Sequence, residues 1–481
     1  STELPRRLRA AQTLNSLDSL RRFFRSFDAA GSGRRWEGAK SLDSLNSSIL
    51  AAATPAARRA GYYARNNPWV AAAVQSLIGN IIGAGIKPRS THPDSGVRDA
   101  LHGLWDRWTD RADAGRLADY YGMQALAVRA MVEGGESFAR LRVAPSADGA
   151  VPLKIDLLDR EQVPLSLSND LGAGARIRAG IEIDAEGRRV AYHVYRARPD
   201  DPFGPLALET VRLPAEDMVH LFQPLAAGQL RGITWLAPVL LRLHELDQYE
   251  DAALVKAKVA ALFTGFIRDP DGTLAGLNDG SGANGVLQVG MEPGSLVPLP
   301  PGADISFSNP ADPGDYGPFV KNHLRAISSG LGLPYELVSG DLEGVTYSSI
   351  RAGLVEFRRR VEQLQHNVVV FQFCRPVWER FVRLAVLTGA LPVRDFDRDP
   401  AAYLSATWLP PKFDYVDPKK DVEAEILAIA AGLKSRTQAI AERGFDAEQV
   451  DAELAADQQR AQRLNLTFSH TLPAREVTSN A

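Results

Sequence analysis

The sequence predicts an α+β chain of several sub-domains, and three observations carry that reading. A length of 481 residues exceeds what one ordinary core encloses. A hydrophobic content of 45% with 23% charged residues is that of a soluble globular protein that folds without staples. Helical and strand-like patterns are also segregated, with short alternating bursts gathered in residues 151–223 and helical stretches on either side.

Taken in order, residues 1–45 read as an arm carrying an amphipathic piece, "LDSLRRFFRSF", followed by the breaker "AAGSGRR". Arg6, Arg7, Arg9, Arg21, Arg22, Arg25, Arg34 and Arg35 crowd this arm. A solvated tail and a contact with nucleic acid or an acidic neighbouring subunit both fit that charge. A helix is expected through Ala71 to Leu77, dissolving into the glycines at 79, 83 and 85. "LHGLWDRWTD" and "YYGMQALAVRAMVEGGESFARLRV" read as helices, the second leading into a strand at Phe138–Val143. "LKIDLLD", "AGIEID", "RRVAYHVYRA" and "DMVHLFQ" alternate apolar and polar residues as strands do.

"LAPVLLRLHELDQYEDAALVKAKVAALFTGF" follows, with Val239, Leu243, Leu246, Ala253, Ala257 and Ala260 along one helical side. Small residues let helices approach closely, so Ala253, Ala257 and Ala260 are candidates for a contact between copies of the chain. The alternative is ordinary helix propensity, since Ala is the best helix former. A Gly/Pro/Asp-rich module from Asp269 to Pro318 carries the strand-like pieces "GVLQVG" and "SLVPLPPG". A further helix in "YGPFVKNHLRAISSGLGL" leads to the loop "SGDLEGVTY" and then to a long helix. On that helix Ile350, Leu354, Phe357, Val361 and Leu364 form one stripe, while Arg351, Arg358 and Arg359 fall largely elsewhere. Pro376 is expected to kink or break it near Arg375. The tail is helical, with Gly432 and Gly444 as stops.

Several function classes lose support. Cys374 is the single cysteine, so no intramolecular disulfide forms and maturation in a reducing cytoplasm is expected. No apolar run approaches the roughly 20 residues that span a bilayer, and "STELPRRLRAAQ" lacks the apolar core of a secretory signal. A net charge of -3 argues against tight duplex-DNA binding. "GAGIKP" lacks the Lys and Ser/Thr positions of a P-loop, and there is neither an H-E-x-x-H nor a G-x-S-x-G. Asp395, Asp397 and Asp399 alternate like the start of a calcium loop, but Pro400 stands where that loop needs Gly, so a solvated turn is expected. No cofactor, metal or catalytic residue is expected.

The loop Asp341, Leu342, Glu343, Gly344, Val345, Thr346, Tyr347, mounted between glycine-permitted turns and an amphipathic helix, suits a binding clamp, a metal loop, an enzyme lid or a conduit constriction. Acid at a helix N-terminus also serves the helix dipole with no ligand at all.

Several long stretches choose among these. "RGITWLAPVLLRLHELDQYEDAALVKAKVAALFTGFI", "PLPPGADISFSNPADPGDYGPFVKNHLRAISSGLGLPYELVSGDLEGVTYSSIRAGLVEFRRRVEQLQ" and "FDYVDPKKDVEAEILAIAAGLKSRTQAIAERGFDAEQV" resemble segments of the lambda-like portal proteins of tailed bacteriophages. "ADAGRLADYYGMQALAVRAMVEGGESFARLRV" is similar to that family's N-terminal part, and the resemblance runs from about Asn66 to Leu464. It implies a dodecameric ring at one capsid vertex, assembled in the host cytoplasm and carried in the virion. Double-stranded DNA would enter and leave through that ring without sequence-specific or tight binding. Implied partners are the terminase large subunit, a head-completion or adaptor protein, and the major capsid and scaffold proteins, with no membrane.

Mapped by order, the resemblance implies an arm at 1–45, a wing at 46–240, a first stem helix at 241–262 and a clip at 263–314. It further implies a second stem helix at 315–338, a DNA-facing tunnel loop at 339–347, a wing helix with return strands at 348–418, and a crown and tail at 419–481. Arg358, Arg359 and Arg360 then stand behind the loop, where they can pair with carboxylates of an adjacent subunit. A channel that lets DNA slide cannot hold it, and an acidic or neutral lining keeps water and counterions between wall and phosphate. A packaging nuclease and a head protein that conducts no DNA are the competing readings. The first lacks the clustered carboxylates or nucleotide loop that it needs.

Overall fold

The computed structural model describes residues 44–144, 150–199, 209–261, 265–268, 304–307, 316–344, 346–411 and 418–466. Residues 1–48 and 49–481 are two compact units, and of the first only 44–48 are described, so the amphipathic piece of the arm lies outside the described residues. The chain is α+β. No described helix is long and apolar enough to cross a membrane.

Helices α1 (Leu45–Asn66) and α2 (Pro68–Ile81) open it. Asn67 accepts the amide of Val70 and Pro68 supplies the first helical position, so α2 starts where a cap and a fixed φ coincide. Val70, Ala73, Val74, Leu77, Ile78 and Ile81 line its buried face. Of the glycines at 79, 83 and 85 expected to dissolve it, Gly83 and Gly85 follow its end, whereas the helix runs through Gly79: Gly79 is exposed, and burying Ile78 and Ile81 outweighs the roughly 1 kcal/mol a mid-helix glycine costs. After the short strand β1 (Lys87–Ser90) come α3 (Ser95–Thr109) and α4 (Tyr120–Gly134), N-capped by Asp94 and Asp119.

Strands β2 (Glu136–Val143) and β3 (Leu153–Leu158) pair antiparallel, as do β2 and β9 (Met218–Phe222), giving the order β3-β2-β9. Between them β4 (Asn169–Gly172), β5 (Ala175–Arg178), β6 (Ile181–Ile183), β7 (Arg189–Tyr195) and β8 (Thr210–Pro214) form a meander of five. Phe138, Val163, Ile181, Ile183, Tyr192, Val194, Leu213 and Met218 form the apolar cluster of this β-rich part.

Helix α5 (Leu240–Ala261) is followed by β10 (Gly265–Arg268), which pairs antiparallel with β11 (Asp304–Phe307). The pieces "GVLQVG" and "SLVPLPPG" lie outside the described residues. The helix expected at 315–338 is two: α6 (Tyr316–Leu331) stops before Gly332, and α7 (Tyr335–Ser339) begins after Pro334, which cannot continue a helix.

Helix α8 (Tyr347–Leu364) runs into a ten-residue π-helix, Gln365–Cys374, and then into α9 (Arg375–Leu387). Of the kink or break expected near Arg375, the break does not occur: the chain stays helical through Pro376 and changes there from π- to α-helix. The amide of Arg375 bonds to the Val370 carbonyl, five residues back, so the wide turns absorb the missing donor and the ring of the proline that follows. Trp105 and Trp108 of α3, Tyr120 of α4, and Trp378 and Phe381 of α9 interlock here, with Trp105 centred 5.0 Å from Phe381 and 5.2 Å from Trp378. Ring pairs at such spacing pack edge to face and dominate the core.

A five-residue helix, α10 (Pro400–Leu404), precedes β12 (Ala406–Leu409), which returns to pair antiparallel with β1. The tail forms α11 (Pro418–Ala430), α12 (Arg436–Ala441) and α13 (Ala447–Arg463), with Gly432 and Gly444 at the expected stops. Arg98 joins α13 through Glu448 at 2.6 Å, and Arg89 pairs with Asp446.

Candidate functional site

The site begins with the hairpin of α5 and α6. Tyr249 lies 4.2 Å from Phe319 and 6.0 Å from Tyr316, ring to ring, which clasps the two helices at this level. Leu324, Ile327 and Leu331 bury one face of α6. Lys321 and Arg325 stand on its other side, their cations 5.7 Å and 5.6 Å from the ring centre of Tyr335 on α7.

Gly340 ends α7 in the left-handed region at φ 68°, where a side chain other than Gly would be strained. The chain then folds on Asp341. One of its carboxylate oxygens accepts both the Lys321 ammonium at 2.9 Å and the Tyr335 hydroxyl at 3.0 Å. The other accepts the Glu343 amide at 2.9 Å, an Asx turn that bends the loop back on itself. The amide of Asp341 donates to Ser339 Oγ, whose hydroxyl donates to the Tyr335 carbonyl. The Lys321 hydrogen bond, then the Glu343 amide, hold the Asp341 carboxyl down to about 2, and the same contact with Asp341 raises Lys321.

Leu342, Glu343, Gly344 and Thr346 are exposed, Leu342 at 64%. Val345, and the side chains of Tyr347 and Ala260, lie outside what the structure describes. Asp341 is built differently, with about a third of its side chain exposed and both carboxylate oxygens hydrogen-bonded within the chain.

The residues expected between copies of the chain divide in the same way. Ala257 is exposed and Ala253 half-buried, with Leu254 and Val255 exposed beside them on α5. Arg359 is exposed and lies 3.6 Å from Glu356. Arg358 is half-buried, and the Arg360 guanidinium packs against Gly332 of its own chain, where burial lowers its pKa. Arg351 ties α8 to α11 through Asp421 at 3.1 Å.

Sequence reasoning missed Lys321 and Tyr335, which lie 20 and 6 residues before their carboxylate with no periodic signal linking them. It also missed a buried ionic cluster at the root of the segment leading to α5. There Arg231, fully buried, donates to both oxygens of Glu136 at 2.7–3.0 Å and to the carbonyls of Val163 and Ala179. Glu136 also accepts the Gly232 amide at 2.9 Å and lies 3.1 Å from His220 Nε2. Burial pushes the Glu136 carboxyl up, but Arg231 and His220 prevail and hold it well below the carboxylate range; burial lowers His220 to about 4. The legible trace was the glycines of "GGES" and "LRGI": a Cβ on Gly135 or Gly232 would overlap the other segment's backbone.

Among the described residues no three His, Cys, Asp or Glu side chains are grouped to hold a metal ion. Of the Asp395–Asp399 turn, Asp399 caps α10 through the Ala402 amide and Asp395 accepts the Tyr403 hydroxyl.

A family model described as phage portal protein, lambda family, matches residues 32–365, a span holding both helices of the hairpin and the whole loop. A probable portal protein of Halomonas phage phiHAP-1 is 29% identical, with 83% of this chain and 79% of the relative covered. Portal protein B of Escherichia phage lambda is 23% identical, over 91% of this chain and 90% of its own. Among solved structures, a chain from the neck of an empty gene transfer agent particle is 16% identical, covers 80% of this chain and 93% of its own, and superposes loosely at a TM-score of 0.45.

Proposed function

This chain belongs to the lambda family of phage portal proteins, and from that membership we propose that copies of it form a dodecameric ring at one capsid vertex through which double-stranded DNA passes during packaging and ejection. The ring assembles in the host cytoplasm, remains in the virion and docks the terminase large subunit, a head-completion or adaptor protein, and the capsid and scaffold proteins. Portal proteins are structural, and the chain's role is that of conduit rather than enzyme.

The observation that carries the reading is the match over 32–365, because that range includes the α5–α6 hairpin, the loop and all of α8. In this reading 46–240 is the wing, α5 and α6–α7 are the stem, the segment around β10–β11 is the clip, 339–347 is the tunnel loop, 348–418 returns to the wing and 419–481 is the crown. Leu342, Glu343, Gly344 and Thr346, exposed residues beyond Asp341, face the DNA, while Asp341 holds the loop's root. An acidic, uncharged or apolar lining leaves phosphates without a cation to pair with, so DNA slides. Ala253 and Ala257 with the exposed Leu254 and Val255, and Arg359 on α8, belong to the faces that meet the neighbouring subunits. Electron microscopy of the purified full chain tests this: rings with a central hole are expected, and compact particles without one would reject it.

A further inference from the structure

Lys321 is a basic residue tied directly to the loop, and the Asp341 carboxylate is its partner. Its ammonium lies 2.9 Å from one carboxylate oxygen, and the hydroxyl of Tyr335 shares that oxygen at 3.0 Å. The two side chains are 32% and 29% exposed, so the pair sits at the surface where a phosphate could reach it. We infer that Asp341 masks Lys321: its carboxylate occupies the ammonium that a passing DNA phosphate would otherwise bind, and in the same stroke fixes where Leu342 and Glu343 stand. The inference rests on the reading of this loop as DNA-facing and assigns Asp341 a different task from Glu343.

The chemistry follows from competition for one cation. A Lys bonded to phosphate displaces a condensed counterion and adds a salt-sensitive increment to DNA affinity. The carboxylate competes from within the same chain, at an effective concentration on the order of millimolar or above, and its second oxygen is already committed to the Glu343 amide. A phosphate must therefore displace a preorganised partner rather than water. Repeated around a ring, that arrangement removes one potential anchor per subunit from the wall. Because Asp341 also receives Tyr335, whose ring lies under Lys321 and Arg325, the contact ties the loop to both α6 and α7.

The test compares assembled rings of wild type, Asp341→Ala, Lys321→Gln, their double variant and, as the control for the loop facing DNA, Glu343→Lys in two measurements. The first is binding of a short fluorescent duplex against salt. Asp341→Ala should bind more tightly, gaining about 3.5-fold per newly made phosphate contact as salt falls from about 200 to 50 mM. The double variant should return to the wild-type curve. The second is hydrogen exchange over 339–344 without DNA, in which the Glu343 amide should exchange faster in Asp341→Ala. Unchanged exchange would overturn the claim that Asp341 fixes where Leu342 and Glu343 stand. Faster exchange with an unaltered salt curve, alongside a shifted curve for Glu343→Lys, would overturn the mask and leave the DNA-facing loop standing. If Glu343→Lys also superimposes on wild type, the loop does not face DNA and the mask falls with it.

Discussion

Glu136→Gln should loosen the β-rich part of the chain far more than an ordinary surface change. Glu136 is fully buried, and its carboxylate is the charge that compensates Arg231 at 2.7–3.0 Å; it also takes the Gly232 amide and faces His220. Gln keeps the shape but leaves a buried guanidinium without a counter-charge, and breaking such a pair from one side costs about 3–5 kcal/mol. At about 1.4 kcal/mol per decade, that is a loss of roughly a hundred- to several-thousand-fold in hydrogen-exchange protection. The assay is exchange mass spectrometry on peptides covering β2 and β9, with α3 as the internal reference. Replacing both partners together, Glu136→Leu with Arg231→Met, should recover most of the loss, because swapping a buried pair for apolar groups of similar volume is often neutral. A single-variant loss below about 1 kcal/mol would refute the argument, since Arg231 would then find enough compensation in the carbonyls of Val163 and Ala179.

The same cluster should make that region acid-sensitive. His220 is lowered to about 4 by burial, so the unfolded chain takes up its proton first and protection of β9 should fall as pH drops from about 6.5 toward 4, as exchange against pH would show. Cys374 is buried and its thiol is pushed up to about 12 by that burial; alkylation at mildly basic pH should be negligible in native protein and complete in denaturant, and rapid native labelling would contradict it. Ala257→Leu should weaken the assembled ring by about 1–3 kcal/mol per subunit interface through overpacking, and rings that melt like wild type would place α5 away from any subunit contact. Glu343→Lys should slow DNA packaging at low salt and recover as salt rises, measured as rate against ionic strength.

What the sequence disclosed was local. Alternation in "RRVAYHVYRA" and "DMVHLFQ" became β7 and β9, and the 241–262 helix is α5 to within a residue at each end. These signals come from neighbours two, three or four residues apart. Gly79 misled because local propensity was weighed without the burial of Ile78 and Ile81, which tertiary packing alone decides. Glu136 meets Arg231 across 95 residues and Lys321 meets Asp341 across 20, and no periodicity encodes either meeting. The loop was visible as acid between glycines; which of its two acids is committed to its own chain was not.

The π-helix Gln365–Cys374 sets a phase. An α-helix advances about 100° and 1.5 Å per residue, so a wide segment between α8 and α9 fixes the azimuth of everything downstream relative to the loop upstream. Deleting one residue within it to recover α-helical pitch would swing Trp378 and Phe381 by roughly a quarter turn out of the cluster around Trp105. The sequence on either side can therefore drift in composition, but its length here is quantised. A gain or loss of one residue between Leu364 and Arg375 would set the loop and the aromatic core against each other, each seated only at the other's expense.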